Sequence, residues 1–217
     1  MPARTIARTR TRLEPEARQA QILDHAARLV AEEGLSGFSM ERVARDAGVS
    51  KALVYTYFSN QAHLLKSLLK RDLERIQREQ MHAAMSARTF PELVRNTTHI
   101  ALLEAENRGA FVRRLLNEPS LVDEVGAVRT SEHATNVRYL AKRIAKEFDI
   151  SRADALRLTE IGLGLTMAAG DYLQTGAASR SEVEELTVAM IIGAVRAGAA
   201  QCRRSGRRER QSRRAGD

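Results

Sequence analysis

Apolar residues recur every three to four positions along most of the chain, and nowhere do they alternate with polar ones as a strand would require. The pattern predicts an all-α protein. From about Pro15 to Gly34, Ile22, Ala26, Leu29 and Val30 share one face, with the proline near the first turn and the glycine as a stop. Ser36-Gly37 makes a turn. Ser39 is placed to N-cap a short second helix, Glu41 sits favourably in its first turn, and Gly48 permits a tight left-handed exit. Ser50 then caps a third helix of only about eight residues, too short to stand alone, which must lean on its neighbours through Val49, Val54 and Phe58. From about Asn60 a long amphipathic helix carries Leu64, Leu65, Leu68, Leu69, Leu73 and Ile76 on one stripe.

Residues 87–202 read as further helices, divided at Thr89-Phe90-Pro91, Asn107-Arg108-Gly109, Glu118-Pro119-Ser120, Asp149-Ile150-Ser151 and Gly176 to Ser181. Two stretches, 155–173 and 186–200, are too apolar around their circumference for surface helices and want burial on several sides. Gly162, Gly164, Ala168, Gly170, Gly193 and Ala197 allow close helix approach. A single-chain core and a four-helix interface between two copies explain these stretches almost equally well.

Charge changes the picture only at the ends. The net +8 arises from residues 1–12, with four arginines and no acid, and from 203–217, with seven arginines against Glu209 and Asp217. Between 13 and 202 there are 24 bases and 25 acids, so the body is neutral. Composition predicts a disordered basic arm over 1–12 and a disordered Arg-rich tail over 203–217, both able to raise affinity for any polyanion without reading sequence. The lone Cys202 excludes an intrachain disulfide and a cysteine zinc site. No apolar segment follows the basic N-terminus, and the longest apolar run, LTVAMIIGAVRAGAA, contains Arg196. The expectation is a cytoplasmic protein with no membrane partner.

Catalytic signatures are missing. Ser67-Leu68-Leu69-Lys70 matches the start of a serine acyl-transfer motif but lacks its companions, and there is no H-E-x-x-H, G-x-S-x-G or Walker loop. The five histidines and one cysteine form no metal-ligand spacing, and Asn96-Thr97-Thr98 is a sequon without a secretory signal. No enzyme, metal or cofactor is expected.

The short third helix points elsewhere. Its free face carries Lys51, Ala52, Leu53, Tyr55, Thr56 and Tyr57: one cation, hydroxyl donors and small side chains. A lysine, tyrosine hydroxyls and a helix N-terminus at Ser50 all donate to phosphate oxygens, while small residues let a helix approach base edges. Ser39-Met40-Glu41-Arg42-Val43-Ala44, Ala47-Gly48-Val49-Ser50 and Tyr55-x-Tyr57-Phe58, followed by a leucine-rich helix, resemble the TetR family of bacterial transcriptional repressors. By position, the resemblance implies phosphate contacts from Ser39, Lys51, Tyr55 and Tyr57, with Ala52, Leu53 and Thr56 nearest the bases. It also assigns Val43, Ala44, Val49, Val54 and Phe58 to the core. The chain departs from the family after Phe58, where a lysine followed by glutamate is common but Ser59-Asn60-Gln61-Ala62-His63 stands here. Gln61 and the adjacent helix amides can still hydrogen-bond that phosphate. The basic arm is a candidate compensator through a minor groove.

The resemblance further implies a helix-turn-helix domain over 13–62 and a larger helical ligand-binding and dimerisation domain over 63–202, with 63–80 as connector. Its partners would be double-stranded DNA, a second copy of the chain and a small apolar organic effector. Candidate effector contacts are the polar residues amid apolar segments: His99, Asn117, His133, Tyr139, Asp171 and Tyr172. Candidate dimer contacts are Gly162, Leu165, Ala169, Val188, Ile192 and Val195. The competing reading is a non-specific architectural DNA binder acting through its basic arms.

Overall fold

The computed structural model describes residues 14–116 and 122–215, with side chains described for 14–107 and 134–205. Every regular element among them is a helix: α1 (Pro15–Glu33), α2 (Met40–Asp46), α3 (Lys51–Tyr57), α4 (Gln61–Ser86), α5 (Phe90–Leu116), α6 (Val122–Phe148), α7 (Arg152–Leu173) and α8 (Arg180–Ala215). The all-α expectation holds. The chain forms two compact units, one ending at Leu68 and the other beginning at Leu69.

In the first unit the local signals do what their chemistry dictates. Ser39 Oγ accepts from Arg42 N at 3.2 Å and Ser50 Oγ from Leu53 N at 3.1 Å, so each short helix begins on a side-chain cap. Between them, Gly48 N donates to Arg45 O and Val49 N to Ala44 O, the paired bonds of a Schellman ending, with Gly48 at φ +64°. Helices of seven residues cannot offset their own nucleation cost. They are held by a shared core of Ile22, Ala26 and Val30 from α1, Val43 and Ala44 from α2, Val54 and Phe58 around α3, and Leu64 and Leu68 from α4, all at most 3% exposed. Val49, also expected in the core, is half-buried. A Cβ on Gly48 meets nothing within 4 Å, so Gly48→Ala tests backbone strain alone. It is expected to destabilise the protein by roughly 1–2 kcal/mol in urea unfolding, the cost of a left-handed non-glycine residue.

In the second unit Phe90, Leu93 and Val94 of α5, Ala141 and Ile144 of α6, Ala155 of α7 and Val188, Ile191 and Val195 of α8 make one core, and Phe90 packs edge-on against Phe148 at 4.9 Å. Arg143 donates to the carbonyls of Ala84 and Ala87, satisfying the end of α4, and Arg75 clamps Glu104 on α5 with bonds of 3.0 and 2.7 Å.

Two expectations need correction. The break at Asn107-Arg108-Gly109 is absent, because α5 runs unbroken to Leu116. One interior glycine costs a helix only about 1 kcal/mol against alanine. The arginine run from 203, read as a disordered tail, continues α8 to Ala215. Arginine, glutamine and alanine are good helix formers, and no proline interrupts them. The N-terminal arm, 1–12, and the break at Glu118-Pro119-Ser120 lie outside the described residues.

Candidate nucleic-acid interface

Turning Val54 and Phe58 into the core leaves the rest of α3 pointing outward. Lys51, Ala52, Tyr55 and Thr56 are exposed, while Leu53 and Tyr57 are half-buried at the edges of the strip. Ser50 is exposed and Ser39 half-buried; each commits its oxygen to its own helix and keeps its hydroxyl proton to donate. Thr56 is different: its hydroxyl donates to Ala52 O at 3.0 Å, so it offers the groove a methyl group and lone pairs. Gln61, exposed, is the first residue of α4. Asn60 supplies that helix with a cap, its Oδ1 accepting from His63 N at 2.8 Å, and His63 Nδ1 accepts from Ser59 N at 3.2 Å. The starts of α2 and α4 and the whole of α3 thereby carry every candidate DNA contact.

One partner was missed. Lys51 Nζ forms an ion pair with Glu41 on α2, and its ammonium sits 5.7 Å from the centre of the Tyr55 ring. The shared hydrogen bond holds the Glu41 carboxyl below its usual value and the Lys51 ammonium above its own. Both side chains are more than half exposed, so the pair contributes little stability and yields readily to a phosphate. Glu41 reads in the sequence only as a first-turn acid. Nothing local marks it as a lysine's partner ten positions away, because that contact exists only once α2 and α3 are folded together. Arg42 is likewise engaged, by Glu33 at 2.6 Å and Asp46 at 3.4 Å.

This geometry coincides with a known sequence pattern. Residues 22–68 match the model for bacterial regulatory proteins of the tetR family. The chain carries that family's sequence signature within its first unit. It is 33% identical over 60 residues to the HTH-type transcriptional repressor SCO4008 of Streptomyces coelicolor, covering 28% of this chain and 31% of that protein. It is 30% identical over 125 residues to the HTH-type transcriptional repressor KstR of Mycolicibacterium smegmatis, covering 54% of this chain and 61% of that one. The chain thus spans between about a third and about three fifths of the curated relatives it matches. The fatty acid degradation regulator FadR from Bacillus halodurans shares the fold, with a TM-score of 0.62 at 15% identity over 83% of this chain and 96% of that one.

The other candidate residues are scattered by the second unit. His99 is bound to Glu184 on α8 at 3.0 Å, and Glu184 also receives Arg180 at 3.2 Å, so His99 serves an α5–α8 contact. Asp171 and Tyr172 are exposed on α7. Of the candidates with described side chains, Tyr139 lines a pocket among α4, α5, α6 and α7, and Tyr172 lines the wider groove between α7 and α8. Asn117 and His133 lie outside the residues whose side chains are described. Of the dimer candidates, Gly162, Val188 and Val195 are buried in the chain's own core, out of a partner's reach, and Leu165, Ala169 and Ile192 are half-buried. The face left open carries Ile161, Ala168 and Tyr172 on α7 and Leu186 and Met190 on α8. A helix that is apolar all round has no single apolar stripe, so its sequence does not reveal which side its own chain will cover. Among the described residues no helix is long and apolar enough to cross a membrane, and no group of three or more His, Cys, Asp or Glu is placed to hold a metal ion.

Proposed function

We infer that this protein is a transcriptional repressor in the cytoplasm that binds a near-palindromic operator as a homodimer and is released by an apolar small molecule. The observation that carries the DNA-binding part is the outward row of α3, where Lys51, Ala52, Tyr55 and Thr56 are exposed on a serine-capped helix. Lys51, Tyr55, Tyr57, Ser39 and Ser50 donate to phosphates on either side of a major groove, Gln61 replaces the family's cation, and Ala52, Leu53 and Thr56 meet the base edges. Regulation then needs occupancy, not catalysis.

The homodimer is supported by where the chain leaves apolar surface in water. Of seven exposed large hydrophobic side chains among the described residues, five lie on α7 and α8: Ile161, Met167, Tyr172, Leu186 and Met190. A groove of about 370 Å³ runs between the two helices on this side, edged by Ala168, Tyr172, Leu186 and Met190. A two-fold axis sets this patch against itself, apolar on apolar. Two α3 helices presented about 34–36 Å apart then read successive faces of one groove.

Selection from random duplex DNA with the full-length chain tests this reading. Enrichment of an inverted repeat whose half-site centres lie about one helical turn apart is the expected result. Equal retention of all sequences overturns it in favour of arm-driven, non-specific binding.

A further inference from the structure

We propose that the pocket lined by α4, α5, α6 and α7 binds a small neutral molecule with an apolar ring and one hydroxyl group, and that Asn136 Oδ1 accepts a hydrogen bond from that hydroxyl. The inference rests on the effector reading above and supplies its chemistry. The pocket holds about 70 Å³ and is lined by Gln80 and Met81 of α4, Thr97 of α5, Asn136 and Tyr139 of α6 and Thr166 of α7, among others. A second, more apolar space of about 50 Å³ adjoins it, sharing Thr97, Leu140, Leu163 and Thr166. Side by side they approach the roughly 150 Å³ that accommodates benzene in a protein core. One ring fits.

The polar groups of the lining define what the ring must carry. Asn136 Nδ2 donates to Gln80 Oε1 at 3.2 Å, while Asn136 Oδ1 is buried without a hydrogen-bond partner. A buried acceptor left this way costs free energy that an incoming donor recovers. Thr97 and Thr166 do not supply one, since their hydroxyls donate to Leu93 O at 2.8 Å and Gly162 O at 3.2 Å within their own helices. Tyr139 stands one turn from Asn136 on the same face of α6, and its oxygen accepts from Arg143 at 3.3 Å, which leaves its own proton to give. A hydroxyl is both donor and acceptor, and it satisfies both residues at once.

Charge excludes the obvious alternatives. Among the described residues no charged side chain lines either space. The guanidinium bonded to the Tyr139 hydroxyl, that of Arg143, is already committed to the carbonyls of Ala84 and Ala87. A carboxylate or an ammonium would be desolvated there without a counter-charge, whereas a neutral phenol-like molecule carries no charge to pair and keeps its hydroxyl hydrogen-bonded.

Calorimetric titration of the full-length protein, without DNA, with phenol, toluene, anisole and benzoate decides the matter. Phenol is expected to bind at least roughly tenfold more tightly than toluene and anisole, with no detectable binding of benzoate. Asn136→Leu, which keeps the branched shape but removes both polar atoms, is expected to lower phenol affinity to that of toluene. If that variant fails to fold, the ranking of the four ligands on the unaltered protein decides by itself. No phenol binding, equal affinities for phenol and toluene, or tighter binding of anisole or benzoate overturns the proposal. Because no operator is present, such a failure leaves the DNA-binding reading intact. Phenol binding at Asn136 with no effect on an operator complex would retire the release mechanism and leave the site standing.

Discussion

Leu186→Glu is expected to turn the protein into a monomer in sedimentation and to lower its affinity for an inverted-repeat operator by at least about a hundredfold. Leu186 is 63% exposed within one chain, so a glutamate there meets water in the monomer and leaves the single-chain fold alone. In a two-fold interface the same substitution appears twice, and both carboxylates are buried against the apolar patch of Ile161, Ala168, Tyr172 and Met190 with no cation to receive them. Loss of the dimer removes the tethering that makes the second half-site intramolecular, a gain of order 10²–10⁴ in avidity. Unchanged circular dichroism with a lost dimer confirms the face. A Leu186→Glu protein that still sediments as a dimer places the interface elsewhere.

Lys51→Ala is the second large effect, expected to weaken operator binding by roughly ten- to a hundredfold near physiological salt and to reduce the slope of log K against log salt by about 1.8. The figure follows from two phosphate contacts per dimer at about 0.9 each. Its partner carries the opposite sign. In the free protein Glu41 holds the Lys51 ammonium, so a phosphate must displace a carboxylate before it gains the cation. Glu41→Gln removes that competitor and is expected to tighten binding several-fold. In the Lys51→Ala background the same change is expected to gain markedly less, and this difference across the double-mutant cycle separates a direct contest for Lys51 from a general loss of negative charge. A Lys51→Ala protein with an unaltered salt slope removes Lys51 from the phosphate backbone and shifts the burden to Tyr55, Tyr57 and the helix termini.

The local half of this protein was written in short-range chemistry. Serine caps and the left-handed Gly48 depend on residues within a turn or two of each other, so the sequence alone marked where α2 and α3 begin and where the turn between them falls. Where the competition was between a weak local breaker and distant packing, the sequence misled: Asn107-Arg108-Gly109 passes through the middle of α5.

The rest was decided only by tertiary structure, for a common reason. Residues 155–173 and 186–200 announce burial but not its direction, since apolar side chains point all round both helices. Packing against α5 and α6 chose which side went inward, taking Gly162, Val188 and Val195 into the core and leaving Ile161, Tyr172, Leu186 and Met190 outside. The Lys51–Glu41 pair and the unpartnered oxygen of Asn136 beside Gln80 have the same origin. Each joins residues on different helices, 10 and 56 positions apart in the chain, and hydrogen bonds at that range follow from how helices cross, which no periodicity within one helix encodes.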